Sequence, residues 1–165
     1  MENNIKNNDE KTIKTANSFS KFPQNILERL EQIGIKEPTK VQDKIIPIIF
    51  EGKNIIFQSE TGTGKTYAYS LPLVSKLEQD EDKMKVRILI VSPTFELSSQ
   101  INSAIKLITN RKTALFIGGS PLKRQIETLK DKPQIVIGTA ARLVELIRLK
   151  KLKINELSAV IFHEC

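Results

Sequence analysis

The sequence contains one cysteine and no tryptophan, and it has no long uninterrupted run of apolar residues. The lone cysteine, Cys165, excludes an intramolecular disulfide and is typical of proteins kept in a reducing compartment. No apolar stretch approaches the roughly 20 residues that a membrane-spanning helix needs, and the polar first residues lack the apolar core of a secretory signal. We therefore expect a cytoplasmic protein without a membrane segment.

Aromatic residues are also scarce, at 5% of a chain in which 39% of residues are hydrophobic. The core must therefore consist mainly of Ile, Leu and Val, a composition typical of buried parallel strands flanked by helices. A length of 165 residues suits one domain. Residues 1–18 are polar and predict a flexible tail, which leaves residues 19–165 for the domain.

Charge is distributed unevenly along the chain. The net charge of +7 combines −2 from residues 1–82 with +9 from residues 83–165. A basic half attracts polyphosphates by releasing counterions, but surface lysines are often no more than solvated. Charge alone therefore leaves nucleic-acid binding and an ordinary solvated surface as open alternatives.

Apolar runs of strand length alternate with segments of helical period, which predicts an α/β fold with a mainly parallel sheet and helices on both faces. In such a sheet, ligands bind at the carboxyl ends of the strands. No helix is predicted after the last strand, so we expect the neighbouring sheet face to be exposed. The predicted strands are 55–58, 86–92, 113–117, 134–138 and 159–162, and the predicted helices are 23–33, 40–50 (capped by Thr39), 65–78, 96–108, 121–130 and 140–150.

A phosphate-binding loop (P-loop) is predicted at residues 59–66, SETGTGKT, between the first strand and the third helix. Gly62 and Gly64 let backbone amides turn toward phosphates, Lys65 supplies a positive charge, and the Thr66 hydroxyl suits Mg²⁺. The general form of the loop has glycine where Ser59 stands. The loop predicts nucleotide binding by Ser59, Glu60, Thr61, Gly62, Thr63, Gly64, Lys65 and Thr66.

The segments around this loop resemble the motifs of DEAD-box RNA helicases, in the same order. They are GIKEPTKVQ (34–42), SPTFELSSQ (92–100), IGG (117–119), GTAARL (138–143) and VIFHEC (160–165). The resemblance implies a RecA-like P-loop domain that binds ATP and Mg²⁺. Gln42 is expected to bind the edge of adenine, whose donor and acceptor suit an amide. Phe19, or failing that Phe22, is expected to pack on the base.

The resemblance also implies sequence-independent RNA binding through Pro93, Thr94, Glu96, Gly118, Gly119, Thr139 and Arg142. Two departures from the family pattern predict weaker RNA binding. Phe95 replaces an arginine that would contact phosphate, and Ala140-Ala141 replaces Pro-Gly.

The last motif departs most from the family. His163 stands where the family has an Asp that binds Mg²⁺ through water, and Glu164 stands where a catalytic Glu positions the attacking water. The expected catalytic residues are Lys65 and Glu164, and the expected metal site is Thr66 with His163 replacing the Asp. Because Mg²⁺ prefers carboxylate oxygen, we expect hydrolysis to suffer. His163 and Cys165 are too few ligands for zinc.

These observations predict the ATP-binding core of an ATP-dependent RNA helicase, in a domain that is incomplete at its carboxyl end. The second RecA-like domain of the family is expected as a partner but is absent, so we expect no helicase activity from these residues alone. Three alternatives are open: an ATP- and RNA-binding pseudo-enzyme without hydrolysis, a truncated gene fragment, and a different P-loop family.

Overall fold

Six α-helices surround one sheet in the computed structural model, which describes residues 17–164. All six predicted helices are confirmed, with ends moved by one or two residues. None of the helices within residues 17–164 is long and apolar enough to cross a membrane. The helices are α1 (Gln24–Gln32), α2 (Lys40–Phe50), α3 (Lys65–Glu78), α4 (Phe95–Ile108), α5 (Leu122–Thr128) and α6 (Ala140–Arg148), with short 3-10 helices at Ser18–Lys21 and Leu129–Asp131.

The first 3-10 helix includes the end of the predicted tail. The Asn17 side chain caps this helix, and the amide of Ser18 donates to the Asp43 carboxylate at 2.9 Å. The rest of the predicted tail lies outside the described residues.

Four of the five predicted strands are confirmed, and all their pairings are parallel. The strand order across the sheet is β2-β3-β1-β4. The α/β fold with a parallel sheet is therefore confirmed. The strands are β1 (Ile88–Ser92), β2 (Thr113–Phe116), β3 (Ile135–Thr139) and β4 (Ala159–Phe162).

The predicted strand at 55–58 is wrong, since residues 53–60 have no regular structure. A cavity of about 1150 Å³ is lined by this segment and by β4. A strand forms only where a neighbour satisfies its backbone donors and acceptors. Within the described residues the sheet consists of β1 to β4 with β4 at its edge, and the segment is paired with none of these strands. Ile56, in the middle of this segment, is fully exposed.

The sheet has a hydrophobic core on each face because successive side chains of a strand point to opposite sides. Ile88 and Ile90 of β1 pack in the core formed with α1–α4. Leu89 and Val91 pack on the other face, with Leu143 and the rest of α6. The prediction of helices on both faces is therefore confirmed.

One face of β4 is open to solvent. Val160 is 47% exposed and Phe162 is 68% exposed, whereas Ala159 and Ile161 are half-buried. The expected exposure of the sheet face at the last strand is confirmed.

Gly138 of β3 fits tightly against β2, where it pairs with Phe116. An added Cβ would overlap the carbonyl oxygen of Phe116. We expect Gly138→Ala to lower the free energy of unfolding by about 1–3 kcal/mol, because neither strand can move without breaking its pairing. Chemical denaturation measures this change. The control is Gly118→Ala, whose added Cβ meets nothing within 4 Å; equal stability of the two variants would contradict the tight packing.

Candidate functional site

The carboxyl ends of all four strands meet along one edge of the sheet. Ser92 of β1 pairs with Thr139 of β3, and Val91 of β1 pairs with Phe162 of β4. The loops that follow these strands therefore lie side by side. The segments at this edge are residues 93–94, 117–119 and 163–164, together with the junction of β3 and α6 at residues 139–142. They include most of the residues predicted to bind RNA and both predicted residues of the last motif.

The two glycines of the P-loop have a backbone conformation that other residues rarely adopt. Gly62 and Gly64 have φ angles of 81° and 86°, in the left-handed region that favours glycine. Helix α3 begins at Lys65, and no side chain caps its first turn. The amides of that turn and the positive end of the helix are therefore left for an anion.

The Lys65 ammonium bends back over the loop. It donates to the carbonyl oxygens of Ser59 at 2.7 Å and Glu60 at 2.9 Å. The hydroxyls of Ser59 and Thr63 are 2.8 Å apart, and Thr63 also donates to the Glu60 carbonyl at 2.9 Å. The loop is thus held by its own side chains, with Thr61 exposed at its tip. Bound phosphates would replace the two carbonyl oxygens as partners of Lys65.

Helix α2 is hydrogen-bonded to the P-loop through its first residues. The predicted Thr39 cap is confirmed: Thr39 and Gln42 form a reciprocal capping box. The Thr39 hydroxyl donates to the Thr63 carbonyl at 2.8 Å. The Gln42 amide oxygen accepts from the Thr39 amide at 2.9 Å, and its amide nitrogen donates to the Gly64 carbonyl at 3.2 Å. The φ angle of Gly64 favours glycine, and an added Cβ there would also displace the end of the Gln42 side chain.

The buried Gln42 therefore lies beside the phosphate loop, where the adenine prediction requires it. A primary amide has two N–H donors and two acceptor positions on its oxygen. The contacts to Thr39 and Gly64 use one of each. Because Gln42 is only 2% exposed, its other donor and acceptor can meet a base only if the side chain becomes uncovered. Recognition of adenine by Gln42 remains a prediction.

Phe19 belongs to the hydrophobic core and is only 4% exposed. Its ring centroid is 5.8 Å from that of Phe22, which in turn is 5.4 Å from that of Phe50. Stacking on a base therefore requires a face of Phe19 to be uncovered. That role also remains a prediction.

His163 is buried at the end of β4, next to α3. Its backbone amide donates to the Val91 carbonyl at 2.8 Å, and its ring meets Tyr69 edge-on with centroids 5.6 Å apart. Burial lowers the pKa of His163, the nearby Glu164 carboxylate opposes this shift, and Lys65 adds to it. The imidazole is therefore mainly uncharged at neutral pH.

Tyr69 contacts His163 but was not among the residues predicted for the site. It lies three residues after Thr66, so both side chains project from the same side of α3. That spacing was visible in the sequence, but the contact with His163 joins two segments far apart in the chain. Burial raises the pKa of the Tyr69 phenol, which stays protonated.

Glu164 lies between His163 and Lys65. Its carboxylate oxygen is 3.9 Å from the His163 imidazole and 4.0 Å from the Lys65 ammonium. The structure therefore brings together the two residues predicted to be catalytic, Lys65 and Glu164.

The residues at this position do not fit a magnesium site. Mg²⁺ binds through oxygen ligands, commonly carboxylates, whereas imidazole suits softer metals. Thr66 offers a hydroxyl, His163 an imidazole, and Glu164 a carboxylate that faces Lys65. Among residues 17–164, no group of three or more His, Cys, Asp or Glu side chains is placed to hold a metal ion.

The residues predicted to bind RNA line the same edge of the sheet. Pro93, Thr94, Glu96, Gly118 and Gly119 are exposed there. Thr94 also caps α4, because its hydroxyl accepts from the Leu97 amide at 3.2 Å.

The other two residues predicted to bind RNA lie at the start of α6 and are half-buried. Arg142 donates to the Ser120 carbonyl at 3.0 Å and pairs with Glu145 at 2.9 Å. The Thr139 hydroxyl makes no capping hydrogen bond at the start of α6.

Comparison with known proteins agrees with this arrangement. The profile of the DEAD/DEAH box helicase family matches residues 39–165. The chain belongs to this family. It is 42% identical over 137 residues to the DEAD-box ATP-dependent RNA helicase CshC of Bacillus cereus, covering 81% of this chain and 35% of that protein. It is 36% identical over 151 residues to the ATP-dependent RNA helicase CshA of Listeria monocytogenes, covering 88% and 29%. The chain thus spans about a third of the length of these relatives.

Solved structures share the fold. A hypothetical ATP-dependent RNA helicase from Sulfolobus tokodaii aligns with 86% of this DEAD/DEAH-box chain and 41% of its own, at a TM-score of 0.76 and 33% identity. A DEAD box protein from Methanococcus jannaschii aligns with 86% and 39%, at a TM-score of 0.79 and 30% identity. The RecA-like architecture predicted from the sequence is therefore confirmed.

The contact between α2 and the P-loop can be tested by its contribution to the stability of the protein. We expect Gln42→Ala to lower the free energy of unfolding by about 1–3 kcal/mol, because it removes the hydrogen bond to the Gly64 carbonyl and half of the capping box, and it leaves a space where a buried side chain stood. Thermal and chemical denaturation measure the change. Gln32→Ala, at an exposed position of α1, is the matched control, and a loss of the same size there would contradict a specific role for Gln42.

Proposed function

We propose that this chain is the ATP-binding core of an ATP-dependent RNA helicase. The observation that carries the proposal is the pair of hydrogen bonds from Thr39 and Gln42 to the P-loop backbone. They place the amide expected to bind adenine next to the loop expected to bind phosphates. One nucleotide can then contact both.

ATP would be held mainly by the P-loop. The backbone amides at Gly62 and Gly64 and the first turn of α3 would donate to the phosphate oxygens, and the Lys65 ammonium would pair with them. Thr63, Ser59 and Glu60 shape the loop through their mutual hydrogen bonds. Glu164, whose carboxylate lies 4.0 Å from the Lys65 ammonium, would orient a water molecule at the terminal phosphate.

RNA would lie along the carboxyl edge of β1, β2 and β3. Exposed loop backbone at Gly118 and Gly119 and the hydroxyl of Thr139 can donate to phosphates without reading bases. Arg142 would contribute its charge if phosphate replaced Ser120 or Glu145 as a partner. Phe95 is 48% exposed where the family places an arginine, which supports weak binding.

A second candidate function is a pseudo-enzyme that binds ATP and RNA without hydrolysis. The buried His163, in place of the Asp that serves Mg²⁺ in the family, favours it. Phosphate release with and without RNA separates the two candidates. Unwinding would require the second RecA-like domain implied by the family resemblance, and the cytoplasmic location remains a prediction from the single cysteine.

Substitution of Lys65 tests ATP binding at this loop. We expect Lys65→Ala to weaken ATP binding by roughly tenfold or more, because a hydrogen bond to a charged group is worth about 1.5–3 kcal/mol. Calorimetric titration with ATP measures the affinity. The control is Lys106→Ala, an exposed lysine of α4. Unchanged affinity of the Lys65 variant would contradict the proposed site.

RNA binding should depend on salt rather than on base sequence. We expect oligo(U) and oligo(A) of equal length to bind with affinities within about threefold of each other, because backbone contacts read no bases. The affinity for RNA should fall steeply between low and moderate salt, because counterion release contributes less free energy at higher salt concentration. Fluorescence anisotropy at several salt concentrations measures both effects. Strong preference for one sequence, or no response to salt, would contradict binding through phosphates.

A further inference from the structure

The position that serves the metal in the family carries no negative charge in this chain. His163 is only 7% exposed and packs against Tyr69, so neither a carboxylate nor open space stands there. The charge of Glu164 is offset by the ammonium of Lys65, 4.0 Å away. The side chains around the expected metal position therefore give a divalent cation little electrostatic attraction.

The same part of the structure strongly favours a free anion. The uncapped first turn of α3 and the Lys65 ammonium both interact best with the full charge of a polyphosphate. A bound Mg²⁺ neutralises part of the ATP charge and so weakens these two interactions. In a protein with an acidic metal ligand, attraction between the cation and the ligand offsets that loss. Here His163 provides no such compensation.

We propose that ATP binding by this chain does not depend on Mg²⁺ and gains no affinity from it, with the phosphates held by the P-loop amides and Lys65. The inference rests on the proposed ATP binding. It assigns the independence to His163, so a single substitution should create the dependence on Mg²⁺ that the native residue lacks.

The test is calorimetric titration of the full 165-residue chain with ATP at constant ionic strength, once with excess Mg²⁺ and once with EDTA. Mg²⁺ should tighten ATP binding to the native chain by no more than about threefold. His163→Asp should bind ATP about tenfold more tightly with Mg²⁺ than with EDTA, since one added carboxylate near a cation is worth at least that much. The matched control is His163→Asn, which has nearly the shape of Asp without its charge and should behave like the native chain.

The outcomes separate this inference from the proposed function. Tightening of the native chain by Mg²⁺ beyond about threefold would overturn the inference while leaving ATP binding intact. Equal tightening in the Asp and Asn variants, or none in the Asp variant, would overturn the assignment to His163. Absence of ATP binding to the native chain under both conditions would overturn the proposed function itself. Titration in EDTA also shows whether each variant retains a folded P-loop.

Discussion

The hydrogen bonds between the first turn of α2 and the P-loop tie together the two halves of the proposed nucleotide site. Thr39 and Gln42 satisfy each other's backbone amides at the start of α2, and each also holds one carbonyl of the loop, at Thr63 and Gly64. A loop of small residues has little apolar surface to fix it, so these polar contacts set its position relative to α2. The left-handed backbone of Gly64 favours glycine there, and an added Cβ would displace the Gln42 amide from the loop.

The parallel sheet brings together the residues of the proposed RNA-binding site. Each strand is followed by a loop at the same edge, and pairing of Ser92 with Thr139 and of Val91 with Phe162 fixes how those loops align. Residues scattered over much of the chain thereby form one surface without needing contacts to one another. The proposed RNA face and the pair formed by Lys65 and Glu164 lie next to each other because β4 is the neighbour of β1.

Much of this arrangement was predictable from local patterns. Helical periodicity located all six helices, and Thr39 was recognised as a cap because capping depends on a few adjacent residues. The absence of a strand at 55–58 was not predictable in the same way. An apolar run indicates burial, but it carries no information about whether the segment pairs with another strand. The contact of Tyr69 with His163 and the turn of Lys65 toward Ser59 and Glu60 also depend on packing between distant segments.

The central claim is that one nucleotide spans the P-loop and the buried amide of α2. Amide chemical shifts of the ¹⁵N-labelled chain, followed during a titration with ATP and a parallel titration with GTP, test it most directly. We expect ATP to shift the backbone amide signals of Gly62, Gly64 and Lys65 together with the side-chain amide signal of Gln42. We expect GTP to leave the Gln42 side-chain signal unshifted. Shifts confined to residues outside the P-loop, or identical responses of Gln42 to both nucleotides, would contradict it.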